Sequence, residues 1–381
     1  MYMTRPLSMY KRNPAALSDP PPIGPNSGYL VIFDEEAQTY SCFGLCKDNS
    51  IEDLPFPQNK NLTINYSSDD EEALFVPVLN KPLSSNHYYV IRRTGKHQGQ
   101  ASTSSKEENM DTCLCCSYVR DVKPKPLDPS DDYQQVEIIK KNYGFHAKSV
   151  APDGIPPGLL REKGWTVYAQ SPNNYHLGEA LGSNDSLRAK FPDFNFPLSN
   201  DCSKSVVVGK WYCPFMFVKE GMTLKEQMKK SVFYELTLEQ RWEKIFSKEN
   251  GDNGKDHAVL VDVVVQTKSA KVVGREDVWD ENGVDNDRVM WFKDVGSKTT
   301  SVGLSMEIVE GMKWEQEKVG WIGGRERQVR VERVEEFGGI NSWNKFGCYV
   351  LVESFVFKRM DRTLLLTCDY RHTHQIRCKW E

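Results

Sequence analysis

The chain has 381 residues and a mass of 43.7 kDa, enough for two domains or one large one at ~100–200 residues each. Hydrophobic residues make up 39% and aromatic residues 11%, so a folded core is affordable and wholesale disorder is excluded. The net charge is −4, with 22 Lys+Arg against 25 Asp+Glu up to Pro214 and 27 against 28 beyond it, so neither part has the basic balance of a general nucleic-acid binder.

Proline and tryptophan divide the chain. All 20 Pro lie at or before Pro214, and seven of the nine Trp lie after residue 215. The expected fold class is α+β and predominantly antiparallel β. We expect an extended Pro-rich arm over 1–28, a short-stranded, loop-rich domain over 29–204 and a long-stranded domain over 205–381. The prolines of the arm argue against helix, because the ring removes a backbone donor and restricts the residue before it.

Tyr29–Phe33 reads as the first strand. Short β-like runs follow at Tyr40–Cys46, Leu62–Tyr66, Leu74–Leu79 and Tyr88–Arg92, separated by turn-rich stretches. The acidic tetrad Asp69–Glu72 reads as a solvated loop. Residues 95–111 lack large apolar side chains and read as a flexible loop. Cys113–Val119 and Gln134–Ile139 are further short strands.

Val206–Val208 and Trp211–Val218 form an apolar stretch. Next, Thr223-x-x-Glu226 fits a capping box, and Leu224, Met228, Val232 and Leu236 recur at four-residue spacing. Thr237-x-x-Gln240 resembles a second box, so the pattern predicts a helix pair over about 224–248. From Ala258 the pattern is β. Val259–Thr267 suits a strand buried on both faces, and Leu304, Met306 and Ile308 alternate with polar residues. Val329–Glu332 reads as half-exposed and Cys348–Phe357 as apolar. Alternation from Leu364 to Trp380 would span about 55 Å as one strand, so a curved strand or one broken by a bulge is expected.

The chemical signals are sparse. His372, His374 and Cys378 share one strand face and are metal-ligand types, but a closed structural zinc site needs a fourth ligand. The plainer alternative is amphipathic histidines packed on a sheet, so no metal site and no cofactor are expected. Cys113, Cys115 and Cys116 form the densest thiol cluster. Buried reduced thiols are its common role, and S-acylation is the functional alternative. Trp314, Trp321 and Trp343 are candidate ligand or interaction aromatics, with packing as their ordinary role. No nucleophile elbow, phosphate loop, H-E-x-x-H or dinucleotide motif is present. No apolar run reaches the ~18 residues of a membrane span. Without a secretory leader, the expected location is the cytoplasm or nucleus, with the thiols reduced.

Several long segments carry a family resemblance. They are Met3–Tyr10, Pro20–Val31, Cys42–Cys46, Asp53–Leu62, Val78–Asn86, Val206–Val218 and Tyr234–Glu243. In these the chain resembles the plant proteins carrying domain of unknown function 1262. The resemblance implies a plant intracellular protein and supplies no activity and no functional residues. In texture, the β-rich C-terminal half is also similar to aerolysin-type pore-forming proteins, although its strands carry charges of both signs. The leading expectation is a non-enzymatic binding or interaction protein acting in stress or defence, with an unknown protein or small-molecule partner and no nucleic acid. The alternatives are a membrane-acting protein, S-acylated or pore-forming and without a transmembrane helix, and an enzyme or metal-binding protein using the His372/His374/Cys378 face.

Overall fold

Long alternating runs in the second part and short ones in the first build two large sheets. The computed structural model describes residues 1–41, 46–113, 116–251, 257–277, 285, 287–293, 301–322, 327–340 and 342–381. The larger sheet runs in the order Gly28–Ile32, Tyr2–Pro6, Val206–Pro214, Phe233–Glu249, Lys345–Arg359, Leu364–Trp380, Lys268–Val272, Arg275–Asp277, with Gly182–Ser183 pairing beside Val206–Pro214. Among the described residues its one parallel pair is Tyr2–Pro6 with Gly28–Ile32. The second sheet has seven strands in the order Phe145–Ser149, Gln135–Lys140, His87–Arg92, Asp69–Pro77, Asn61–Tyr66, Thr166–Gln170, Ser50–Ile51. The molecule is thus α+β and predominantly antiparallel β.

The seven-stranded sheet is covered on both faces in its middle. One face carries Phe56, Phe75, Tyr88, Phe145 and Trp165, whose rings meet edge-on, tilted or stacked. The other face contributes Leu74, Val76, Tyr89 and Ile91 to the main core, where they join Phe215, Phe217, Phe233, Leu236, Phe355 and Phe357.

Several local expectations are corrected. The capping box at Thr223 and Glu226 is formed, and it starts a helix that ends at Lys230. The rest of the expected helix pair, Phe233–Glu249, is a 17-residue strand between two long neighbours. A spacing of four is compatible with a helical face and with every second residue of a strand. The aromatic and β-branched content and two flanking strands decide for β. Conversely, Ser301–Ser305 is a strand, but Met306–Glu317 is a helix that buries Ile308, Val309, Met312 and Gln316. Its Met, Glu, Lys and Gln residues are good helix formers.

The arm is not extended throughout. Tyr2–Pro6 is a sheet strand with Tyr2 fully buried, and Leu7–Arg12 is helical after Pro6, which stands at the N-cap where its ring is tolerated. Asp69–Glu72 opens a strand with largely exposed side chains. In the expected flexible loop, Ala101–Ser105 is buried and bonded by its backbone to Val90, Lys125, Tyr133 and Ile155.

The Val-rich strand Ala258–Gln266 is buried on one face only. Among the described residues it pairs solely with Gln328–Glu336 in a two-stranded ribbon, leaving Leu260 and Val264 more than half exposed. Leu364–Trp380 is one strand with the expected interruption: His372 pairs with Leu351 and Ile376 with Val350, so residues 373–375 bulge out of the ladder.

Candidate binding site

Alternation on three long strands sorts their side chains into two sets. On one face, Leu236, Leu238, Gln240 and Trp242 lie beside Phe357, Phe355, Glu353 and Leu351, followed by Leu366, Cys368, Tyr370 and His372. The first part of this face is apolar and belongs to the main core, together with Ile308, Val309 and Met312 of the helix Met306–Glu317. The last part is polar, although Arg188, Gln240, Glu353 and His372 are each 3% exposed or less.

Arg188 is supplied by the short helix Asp185–Arg188, which is capped by the Asn184 side chain accepting from Leu187 N. Arg188 Nε donates to Glu353 Oε1 at 2.8 Å, and its Nη2 contacts Glu353 Oε2 and donates to the Glu315 carbonyl at 3.0 Å. Arg188 Nη1 lies 3.4 Å from Glu315 Oε2. Gln240 Nε2 donates to Glu353 Oε1 at 2.8 Å and to the Arg188 carbonyl at 3.1 Å. His372 Nε2 lies 2.9 Å from Gln316 Oε1, to which it donates, and 3.6 Å from Glu353 Oε2.

The electrostatics follow from burial and pairing. Burial alone would push the Glu353 carboxyl up, but the hydrogen bonds and charge of the Arg188 guanidinium, with the His372 ring close by, outweigh it and hold Glu353 far below the usual carboxylate range. Burial wins at Glu315, whose carboxyl is raised despite Lys318 and Arg188. An ion pair of this depth is satisfied only because it is bidentate and further hydrogen-bonded.

Beside the cluster opens a cavity of about 340 Å³. Arg188, Gln240, Glu353 and His372 contribute to its wall, with Phe191, Leu351, Ala189, Gln375, Asp185, Lys318 and Val319 completing it. Gln375 comes from the bulge. Lys318 Nζ donates to Asp185 Oδ1 at 3.0 Å and lies 3.4 Å from Glu315 Oε2, which ties the rim to the buried pair. One acceptor of a lining residue is left over: Gln240 Oε1 is buried and without a partner among the described residues. Buried acceptors are normally satisfied, and leaving one bare costs ~1–3 kcal/mol.

The arrangement suits binding better than bond-breaking. Glu353 is held by a guanidinium and an amide, and His372 Nε2 is occupied by Gln316, so neither side chain stands ready beside a nucleophile. The opposite face of the same strands carries a second network, in which Arg241 meets Asp369 at 3.1 Å, Ser354 donates to Asp369 at 2.5 Å and Arg371 meets Glu243 at 2.8 Å.

The residues singled out in the sequence are scattered. His372 is in the buried cluster. His374 is exposed in the bulge, its ring 5.4 Å from that of His372. Cys378 lies beyond the bulge against Cys348. Among the described residues no three His, Cys, Asp or Glu side chains gather as ligands for a metal ion. Trp321 is buried against Tyr370 and Trp343 against Trp380, while half-buried Trp314 packs under Gly24 and Lys318. Gly24 has φ +118°, and a Cβ there would stand 2.8 Å from the Trp314 ring, so the turn of the arm over this ring requires glycine. Of the thiol cluster, Cys113 and Cys116 are paired strand residues, and Cys115 lies outside the described residues. Arg188, Gln240 and Glu315 escaped the sequence reading. Glu353 had a visible signal, as the lone charge within the apolar run Cys348–Phe357.

No helix among the described residues is long and apolar enough to cross a membrane. No curated protein matches the chain in sequence. Among solved structures, the crystal structure of Cry35Ab1 is similar at a TM-score of 0.47 and 8% identity, covering 85% of this chain and 90% of that one. Residues 23–117 match the family model described as a protein of unknown function (DUF1262).

Proposed function

We propose that the protein is a non-catalytic binding protein whose ligand is a small polar molecule seated in the cavity beside Arg188, Gln240, Glu353 and His372. The observation that carries this reading is a cavity of about 340 Å³ lined by the buried Arg188, Gln240, Glu353 and His372, in which Gln240 keeps an unpartnered Oε1. A ligand with an O–H or N–H donor would satisfy that oxygen. Phe191 and Leu351 offer an apolar side, and Lys318 and Asp185 a charged rim, which is the mixture that small-molecule sites use. The Arg188–Glu353 pair keeps the wall rigid, so little ordering is required on binding.

The test is a thermal-shift screen with millimolar sugars, polyols, primary amides and amino acids on the wild-type chain and on Ala189→Trp, which fills the mouth of the cavity from an exposed position. At least one compound should raise the Tm of the wild type and leave the variant unmoved. No shift with any compound, or equal shifts in both proteins, would refute the reading.

The membrane-acting alternative is less well supported. The exposed face of the ribbon carries Leu260, Val264 and Val334, interleaved with Asp262, Arg330 and Glu332. Lipid-facing strands instead present a continuous apolar band. We expect vesicles of phosphatidylcholine and phosphatidylserine to retain an entrapped dye when the protein is added, and dye release would favour the alternative.

A further inference from the structure

We propose that Cys348 and Cys378 form a cross-strand dithiol that hydroperoxides convert to a disulfide. The two residues are direct partners in the ladder between Lys345–Arg359 and Leu364–Trp380. Directly opposed antiparallel residues have Cα atoms about 4.5 or 5.5 Å apart, and both values lie within the ~4.4–6.8 Å range of disulfides. The thiols already hydrogen-bond each other, so their sulfurs face one another before any oxidation. Cys348 is fully buried and Cys378 partly exposed, which gives the pair one protected and one reachable sulfur. The shared hydrogen bond stabilises the singly deprotonated pair, because the remaining S–H donates to the thiolate, and holds back loss of the second proton.

The chemistry balances with a hydroperoxide as oxidant. One thiolate attacks a peroxide oxygen and the O–O bond breaks. A sulfenic acid forms, and the departing hydroxide takes up a proton as water or, from an organic peroxide, as alcohol. The second sulfur then attacks the sulfenic sulfur, forming the S–S bond and expelling hydroxide, which takes the second thiol proton as water. Two thiols are oxidised by two electrons and one peroxide is reduced.

The position gives the bond a consequence. Cys378 lies between the bulge at residues 373–375 and the chain end, where Trp380 packs on Phe346 and Trp343. The disulfide would pin this terminal stretch to the central strand of the sheet. This inference does not depend on the ligand site.

The experiment is peptide mapping of the full chain after hydrogen peroxide and alkylation. A Cys348–Cys378 cross-linked peptide is expected, reversed by dithiothreitol and absent from Cys348→Ser and Cys378→Ser. The closed loop of about 30 residues should raise the Tm by about 5 °C. The partly exposed Cys378→Ser keeps the test open should the buried Cys348→Ser fail to fold. Alkylation of both residues at a peroxide dose that oxidises exposed Cys202, or linkage of Cys378 to another cysteine, would overturn the proposal.

Discussion

Two buried glutamines show how differently the two sheets use polar groups. Gln58 lies against the aromatic core of the seven-stranded sheet and has every side-chain atom engaged. Its Oε1 accepts from Val31 N at 2.6 Å, and its Nε2 donates to the carbonyls of Phe56 and Phe75 at 2.6 and 2.9 Å. Gln240, equally buried in the larger sheet, spends its amide nitrogen on Glu353 and Arg188 and leaves its buried oxygen without a partner among the described residues, in a residue that lines a cavity. The first is a staple between strands. The second is an incomplete set of bonds in a rigid wall, and the proposed ligand would complete it.

The comparison can be broken by mutation. The largest effect is expected at the ion pair. Arg188→Ala strands a buried carboxylate and should cost ~3–5 kcal/mol, whereas Arg188→Met with Glu353→Leu should recover most of the loss. In the aromatic core, Phe75→Ala should cost a similar ~3–5 kcal/mol, and no partner substitution there should rescue it. Denaturant unfolding of all three proteins decides. Equal losses in the single and double variants of the ion pair would show that packing, and not charge, holds that wall.

The pH dependence should differ as well. Because the folded state depresses Glu353, its contribution to stability is complete above the ordinary carboxyl value of 4.5 and is lost as the pH falls below it. Glu315 is raised and acts in the opposite sense, adding stability as the pH falls through its own range. Unfolding midpoints from pH 7 to pH 3 should therefore fall less steeply in Glu353→Gln and more steeply in Glu315→Gln than in the wild type. The reverse order would contradict the assignment of the two carboxyls.

Smaller effects follow at the glutamines. Gln58→Leu leaves three backbone groups unpaired and should cost ~1–3 kcal/mol, more than Gln240→Leu, which also removes a bare acceptor. The smallest effect is expected at the ribbon, where the exposed Arg330–Asp262 pair at 2.6 Å is open to solvent and Asp262→Asn should leave the midpoint unchanged.

Legibility in the sequence tracked locality. The capping box at Thr223 and the alternation of Leu364–Trp380 are written in neighbouring residues, and both were readable. Phe233–Glu249 was misread because Leu236, four residues beyond Val232, fits both periods, and only its two partner strands settle the matter. Within the site, His372 was noticed for its chemistry and Glu353 was noticeable as a lone charge in an apolar run. Arg188 lies 165 positions from Glu353 on a helix of four residues, and no local pattern announces that pairing.

The central claim, that the cavity beside Gln240 takes a ligand, is tested most directly by the side-chain amide resonances of the two glutamines. Their signals can be assigned by their loss in Gln58→Leu and Gln240→Leu and followed during titration with the compound giving the largest thermal shift. The account predicts that the Gln240 signals move in a saturable way while those of Gln58 stay fixed. Movement of Gln58 alone, or of neither residue, would contradict it.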